Sequence, residues 1–144
     1  MSNPGPASST SIHPSNLATN QALRVIAMAK GVSVSALGDT PMPVINTSYW
    51  VPTTVVVSGA TVDVSSVALG VYTATSGASG SGSAIRTTAA LTSNTSSAFA
   101  TVGAAASTSA TQTAQTLYIN QTTATAAGTV DVYVYGYDLS GPQV

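Results

Sequence analysis

Charge is what this chain has least of. Seven formal charges serve 144 residues (Arg24, Lys30, Arg86, Asp39, Asp63, Asp131 and Asp138), or 5% of the sequence. Soluble domains ordinarily carry about 25%. Glu and Cys are missing altogether, and there is one His, one Trp and one Phe. Each shortage excludes something. Grip on DNA or RNA rests on Lys and Arg neutralising phosphates, and three scattered cations form no such patch, so nucleic acid is not an expected partner. An anionic membrane surface is not an expected partner either, on the same ground. Without cysteine there are no disulfide staples. No apolar run reaches the length of about 18 residues that a transmembrane helix needs. The opening MSNPGPASSTSIHPSN has neither the basic nor the apolar region of a secretory signal. A surface so poor in charge is only weakly held apart from other surfaces. It is more comfortable covered, which points to a subunit of a larger assembly rather than to a solitary enzyme.

What the chain does contain is small, neutral and β-prone. The 44% hydrophobic content includes 23 Ala, and the polar side chains are mostly hydroxyls, 21 Ser and 22 Thr. A disordered chain would combine few Val and Tyr with a high net charge. Here there are 17 Val and 6 Tyr against a net charge of −1, so the chain is expected to fold. Its length fits one domain with a real core. Three N-x-[ST] triplets, at Asn46, Asn94 and Asn120, are what chance supplies in so Ser/Thr-rich a sequence, and carry little weight for glycosylation.

Residues 1–20 stand apart as an extended arm, with Pro4, Gly5, Pro6 and Pro14 among Ser, Asn and Thr. Ile12 and Leu17 are its only sizeable apolar anchors, so they are its candidate contacts with a partner. Residues 21–144 form the expected domain. Leu23 to Lys30 reads as strand or short helix; its β-branched pair and the alternation Val32-Ser33-Val34-Ser35 favour strand. Gly38-Asp39-Thr40-Pro41 signals a turn, and Pro41 and Pro43 confine Met42 to an edge strand or loop. Strands are expected over Tyr49–Val57, around Val62 and Val64, over Val67–Val71, around Phe99, and over Thr116–Asn120. Ser58-Gly59-Ala60 is a turn. Residues 76–83 form a Gly/Ser loop that lacks the Lys of a phosphate cradle. The stretch from Ala84 to Ala110 is otherwise uninformative. The last strand, Thr129 to Tyr137, has the clearest pattern: Val130, Val132 and Val134 on one face, Tyr133, Tyr135 and Tyr137 on the other. Many short strands with frequent turns predict an all-β single-domain sandwich, of jelly-roll type.

Catalytic chemistry finds little material. Nucleophilic catalysis needs a nucleophile, a base and an orienting group, and the single imidazole, His13, sits in the arm. The four Asp stand at turns or on polar strand faces; Asp63 and Asp131 could meet across strands, though nothing in their spacing demands it. No enzyme activity, cofactor or metal is expected. The tyrosine face of the last strand is the informative feature, because Tyr is enriched at interfaces. Tyr133, Tyr135 and Tyr137 either lie inward beneath loops or face outward as a contact surface for protein or carbohydrate.

The stretch Leu23–Leu139 resembles the small Ala/Ser/Thr-rich virion proteins that tailed phages encode close to their major capsid protein. The resemblance rests on Val25-Ile26-Ala27-Met28-Ala29-Lys30-Gly31-Val32-Ser33, on Gly38-Asp39-Thr40 followed by Pro43-Val44, and on Ala127-Gly128-Thr129-Val130-Asp131-Val132-Tyr133-Val134-Tyr135-Gly136. Within that group the chain is most similar to cement or decoration proteins of podovirus-type heads. The resemblance implies a β-sandwich on the outer surface of the capsid, contacting the major capsid protein and copies of itself as a dimer or trimer. It implies no catalytic residues, and it leaves the arm uncovered. A carbohydrate- or receptor-binding domain of a head or tail fibre is the alternative, and a bacterial adhesin domain is a third.

Overall fold

Alternating side chains suit a pleated strand because one side is buried while the other stays at the surface. The computed structural model describes residues 23–75, 84–92, 102–125 and 127–140. Ile12, Leu17, His13 and Phe99, and the strand expected around Phe99, lie outside these residues. Within them the chain forms eight strands and no helix: β1 (Leu23–Ser33), β2 (Gly38–Pro43), β3 (Trp50–Ser58), β4 (Ala68–Tyr72), β5 (Ala84–Ala90), β6 (Val102–Ala105), β7 (Thr116–Thr123) and β8 (Thr129–Asp138). They make two antiparallel four-stranded sheets, ordered β1-β8-β3-β6 and β2-β7-β4-β5. The all-β expectation holds at this level.

The pairings follow one rule. β1 pairs with β8, β2 with β7, β3 with β6 and β4 with β5; β3–β8 and β4–β7 pairs then complete the sheets. The inner faces share one core. Ile26, Ala27, Trp50, Val55, Val57, Val130, Val132 and Val134 come from the first sheet, and Met42, Leu69, Val71, Ile85, Leu117 and Ile119 from the second. Trp50, fully buried, donates its indole N–H to the Ala114 carbonyl at 3.2 Å. A buried indole needs such a partner.

Several elements depart from the sequence expectation. Gly38–Pro43 is a full edge strand rather than a turn; Met42 is buried while Pro41 and Pro43 stay exposed, so the prolines leave the edge without two of its donors. Residues 62–64 are not a strand. The Asp63 carboxylate accepts the Ser65 amide at 2.9 Å, and the Val67 amide donates to the Val64 carbonyl, so a local turn replaces a ladder while Val62 and Val64 still pack on the core. β5 has no counterpart in the sequence reading. Gly31 bulges β1 rather than ending it: its φ is +63°, and the register with β8 shifts between Ala29 and Val32.

Candidate functional site

β8 carries the pattern that was legible in the sequence, and the structure settles its orientation. Val130, Val132 and Val134 are fully buried, whereas Tyr133 and Tyr135 are half-buried and Tyr137 is 41% exposed on the opposite side. The tyrosines therefore face outward.

Register gives them neighbours. β8 lies between β1 and β3, and cross-strand partners point to the same side. Tyr137 stands between Leu23 and Val51, Tyr135 between Val25 and Thr54, and Tyr133 between Met28 and Val56. Tyr49 precedes Trp50 and alternates with it, so it extends the outer face at 53% exposure. Of the five large hydrophobic side chains exposed among the described residues, Leu23, Met28, Tyr49 and Tyr137 belong here and only Leu37 lies elsewhere. Charge enters only at one end, where Asp131 accepts the Gly31 amide at 2.8 Å. The result is an apolar, aromatic sheet face with a hydroxyl at each ring and no charge across its centre.

Leu23, Val25, Met28, Val51 and Val56 were not singled out from the sequence. Simple alternation does not find them, because both strands beside β8 carry an extra residue. Ile26 interrupts the register of β1 between Val25 and Ala27, and Thr53 interrupts that of β3 between Pro52 and Thr54. Both irregularities sit level with Tyr135, and the Thr53 hydroxyl donates to its carbonyl at 3.0 Å. Bulges of this kind bend a strand and re-aim its side chains, so the face is shaped at its centre. From spacings of ~4.8 Å between strands and ~3.4 Å per residue, its three central strands present roughly 300 Å² of projected area. A stable protein pair hides about 800 Å² on each partner.

At the other end of the sheet, on its inner side, a polar clasp braces the strands. Arg24 Nη2 reaches the Asp138 carboxylate at 3.1 Å and donates to the carbonyls of Ile45 (2.8 Å) and Asn46 (3.1 Å). The hydroxyl of buried Thr47 lies against Asp138 Oδ1, the Tyr49 carbonyl and the Ser140 hydroxyl, and the Ser140 amide donates to Asp138. Burial pushes the Asp138 carboxyl upward, but hydrogen bonds from Thr47 and Ser140 and the nearby Arg24 charge outweigh it and hold the group below the ordinary carboxylate range. Asp63 is also held low, by the Ser65 hydroxyl and amide. Asp39 accepts from Asn120 at 2.8 Å. The four acids thus serve four separate local tasks, and Asp63 and Asp131 are engaged by different backbone amides rather than by each other. Among the described residues, no group of three His, Cys, Asp or Glu could hold a metal ion.

No protein-family model matches the chain, and neither a curated protein nor a solved structure matches it.

Proposed function

We propose that this chain is a structural virion protein, a cement or decoration subunit that bridges neighbouring major capsid proteins on the outside of a tailed-phage head and stabilises them. The carrying observation is the outward face of β1, β8 and β3, an aromatic and aliphatic surface on a nearly chargeless all-β domain. Strand order supports a sandwich of jelly-roll type: strands one to four pair with eight to five in reverse, as in a long antiparallel ribbon rolled into two sheets. The sequence resemblance points the same way. The face is too small for a strong pair by itself, which suits a subunit held at several points of a repeating lattice, where the second contact forms at high effective concentration. The arm of residues 1–20, with Ile12 and Leu17, is the proposed second point; pairing with further copies through the tyrosines is a third. Neighbouring Leu, Val and Met favour a protein partner over a sugar, which wants amides and carboxylates beside its aromatic platforms.

Copy number separates this reading from a carbohydrate-binding fibre domain. Gel densitometry of purified virions should place the chain near the abundance of the capsid protein; a few copies per particle would refute the cement reading in favour of a fibre. Replacing Tyr133, Tyr135 and Tyr137 together by Ser removes six cross-strand pairs worth about 0.2–1 kcal/mol each but leaves the core intact, so the domain should fold with a lower unfolding midpoint. The same replacement should abolish saturation of capsids that lack the protein. Deleting residues 2–20 should leave a folded domain that attaches poorly. Attachment should also persist at 1 M salt, where the Debye length is about 3 Å, because little of it is screened Coulomb attraction.

A further inference from the structure

Arg86 is the only charged side chain in the buried class among the described residues, with 3% of its surface exposed. It lies on β5, paired across the ladder with core residue Val71, and next to core residue Ile85. The chain that follows β6 crosses between the sheets at this level. The Ala106 amide donates to the Thr53 carbonyl of β3 and the Ser107 amide to the Ile85 carbonyl, both at 2.9 Å; Thr87 in turn donates its amide to the Ser107 hydroxyl at 3.0 Å. The backbone on either side of Arg86 is thereby fixed to the crossing.

Two of its three guanidinium nitrogens are not provided for. Nε and Nη1 are buried and have no hydrogen-bond partner. Arg24 also has a buried Nε without a partner, but carboxylate and carbonyl oxygens surround its Nη2, which compensates its charge. No acid of the chain's four is left to compensate Arg86: Asp138 faces Arg24, Asp131 faces Gly31, Asp63 faces Ser65 and Asp39 faces Asn120. Burial alone depresses its pKa, the mark of a cation taken from water without a counter-charge. Breaking a buried ion pair to leave one partner is among the most unfavourable changes a fold suffers, and this site has that form in the isolated chain.

We propose that Arg86 is the receptor for an oxyanion supplied from outside the described chain, either a carboxylate presented by a neighbouring protein or a free inorganic oxyanion. A planar, permanently charged group with free N–H donors is the natural receptor for such a ligand. The competing explanation is that an inward-pointing charge on an edge strand only discourages further strand pairing; it predicts no response to anions. The inference does not depend on the virion reading.

The test titrates sulfate and, separately, acetate into the full-length protein at ionic strength matched with sodium chloride. Wild type should show a saturable rise in Tm of about 5–10 °C at a hundredfold excess over the dissociation constant. Arg86→Met should lack it. The Arg86 Nε–Hε resonance should move with the same midpoint. Tighter saturation by acetate identifies a carboxylate ligand, and tighter saturation by sulfate an inorganic one. Equal responses of wild type and variant overturn the proposal. If Arg86→Met does not fold, an Nε–Hε resonance of wild type that stays still throughout both titrations overturns it instead.

Discussion

Gly136 lies buried in β8 between Tyr135 and Tyr137, opposite Pro52 of β3 and Arg24 of β1. Two effects of opposite sign meet in Gly136→Ala. Relieving a strand of glycine stabilises by about 0.5–1 kcal/mol, because the unfolded chain loses freedom. Against that, a Cβ at this position would stand 2.3 Å from the Val51 carbonyl oxygen, 3.0 Å from Ile26 Cγ1 and 3.1 Å from the Val51 carbonyl carbon. Ordinary contact begins near 3.4 Å, so β3 must retreat by about 1 Å, and the obstacle is backbone rather than a yielding side-chain tip. Overpacking of a tight site costs about 1–3 kcal/mol, and a displaced ladder loses hydrogen bonds worth about 1 kcal/mol each. Overpacking wins. The expected net loss is about 2 kcal/mol, or a Tm lower by about 4–8 °C for a domain near 150 residues, read by urea and thermal unfolding. Gly31→Ala is the control: nothing stands within 4 Å of its Cβ, so only the strain of its φ of +63° should register. A Gly136→Ala protein as stable as wild type, or more so, would refute the packing argument.

The clasp at Asp138 predicts a pH response. Its folded pKa is depressed, so its contribution is complete above the unfolded value of about 4 and is lost as pH falls through the folded value. Urea midpoints between pH 7 and pH 2 should therefore decline in wild type and decline less steeply in Asp138→Asn, where Asp63 is still held low. Thr47→Val removes the hydroxyl shared by Asp138, Ser140 and the Tyr49 carbonyl and should lose about 1–3 kcal/mol at neutral pH, read from the same denaturation curves. Trp50→Ala should lose about 3–5 kcal/mol through the cavity it leaves; as the only tryptophan, Trp50 also reports wild-type unfolding by a red shift of its fluorescence.

How far each element could be read in advance depended on whether periodicity was the force that made it. β8 was legible because it is regular, with a Val face buried and a Tyr face outside. β3 was legible by propensity, from its run of Val and Thr. β1 hovered between helix and strand because its Ala-rich middle suits both, and long-range pairing with β8 decides it. Val62 and Val64 misled: they alternate and are shielded, but Asp63 turns the chain onto Ser65 and no strand partner is available. β5 was invisible because its sequence, AIRTTAA, carries one aliphatic anchor and an arginine, and pairing with β4 rather than propensity makes it a strand. The outer face was half legible. Its central tyrosines were named, whereas its flanks depend on two bulges, which are products of register that no local pattern announces.

On the proposed reading, the position of those tyrosines bears on how attachment would work. β8 is an interior strand, bonded on both sides, so its backbone is among the least free to move in the first sheet. A tyrosine has only two side-chain torsions to order on binding, far fewer than Lys or Glu. A surface built from such rings on such a strand loses little entropy when covered, and its few charges leave little to desolvate at a loss. Each such contact would be small, but most of its apolar area would be converted into affinity. Such contacts would suit the repeated lattice of the proposed function: modest individually, little sensitive to salt, and slow to be lost once several are made together. A charged surface of equal size would steer encounter faster and hold less well at high ionic strength. On the proposed reading, the scarcity of charge and the tyrosine face would be two expressions of one mode of association, in which water is excluded rather than ions paired.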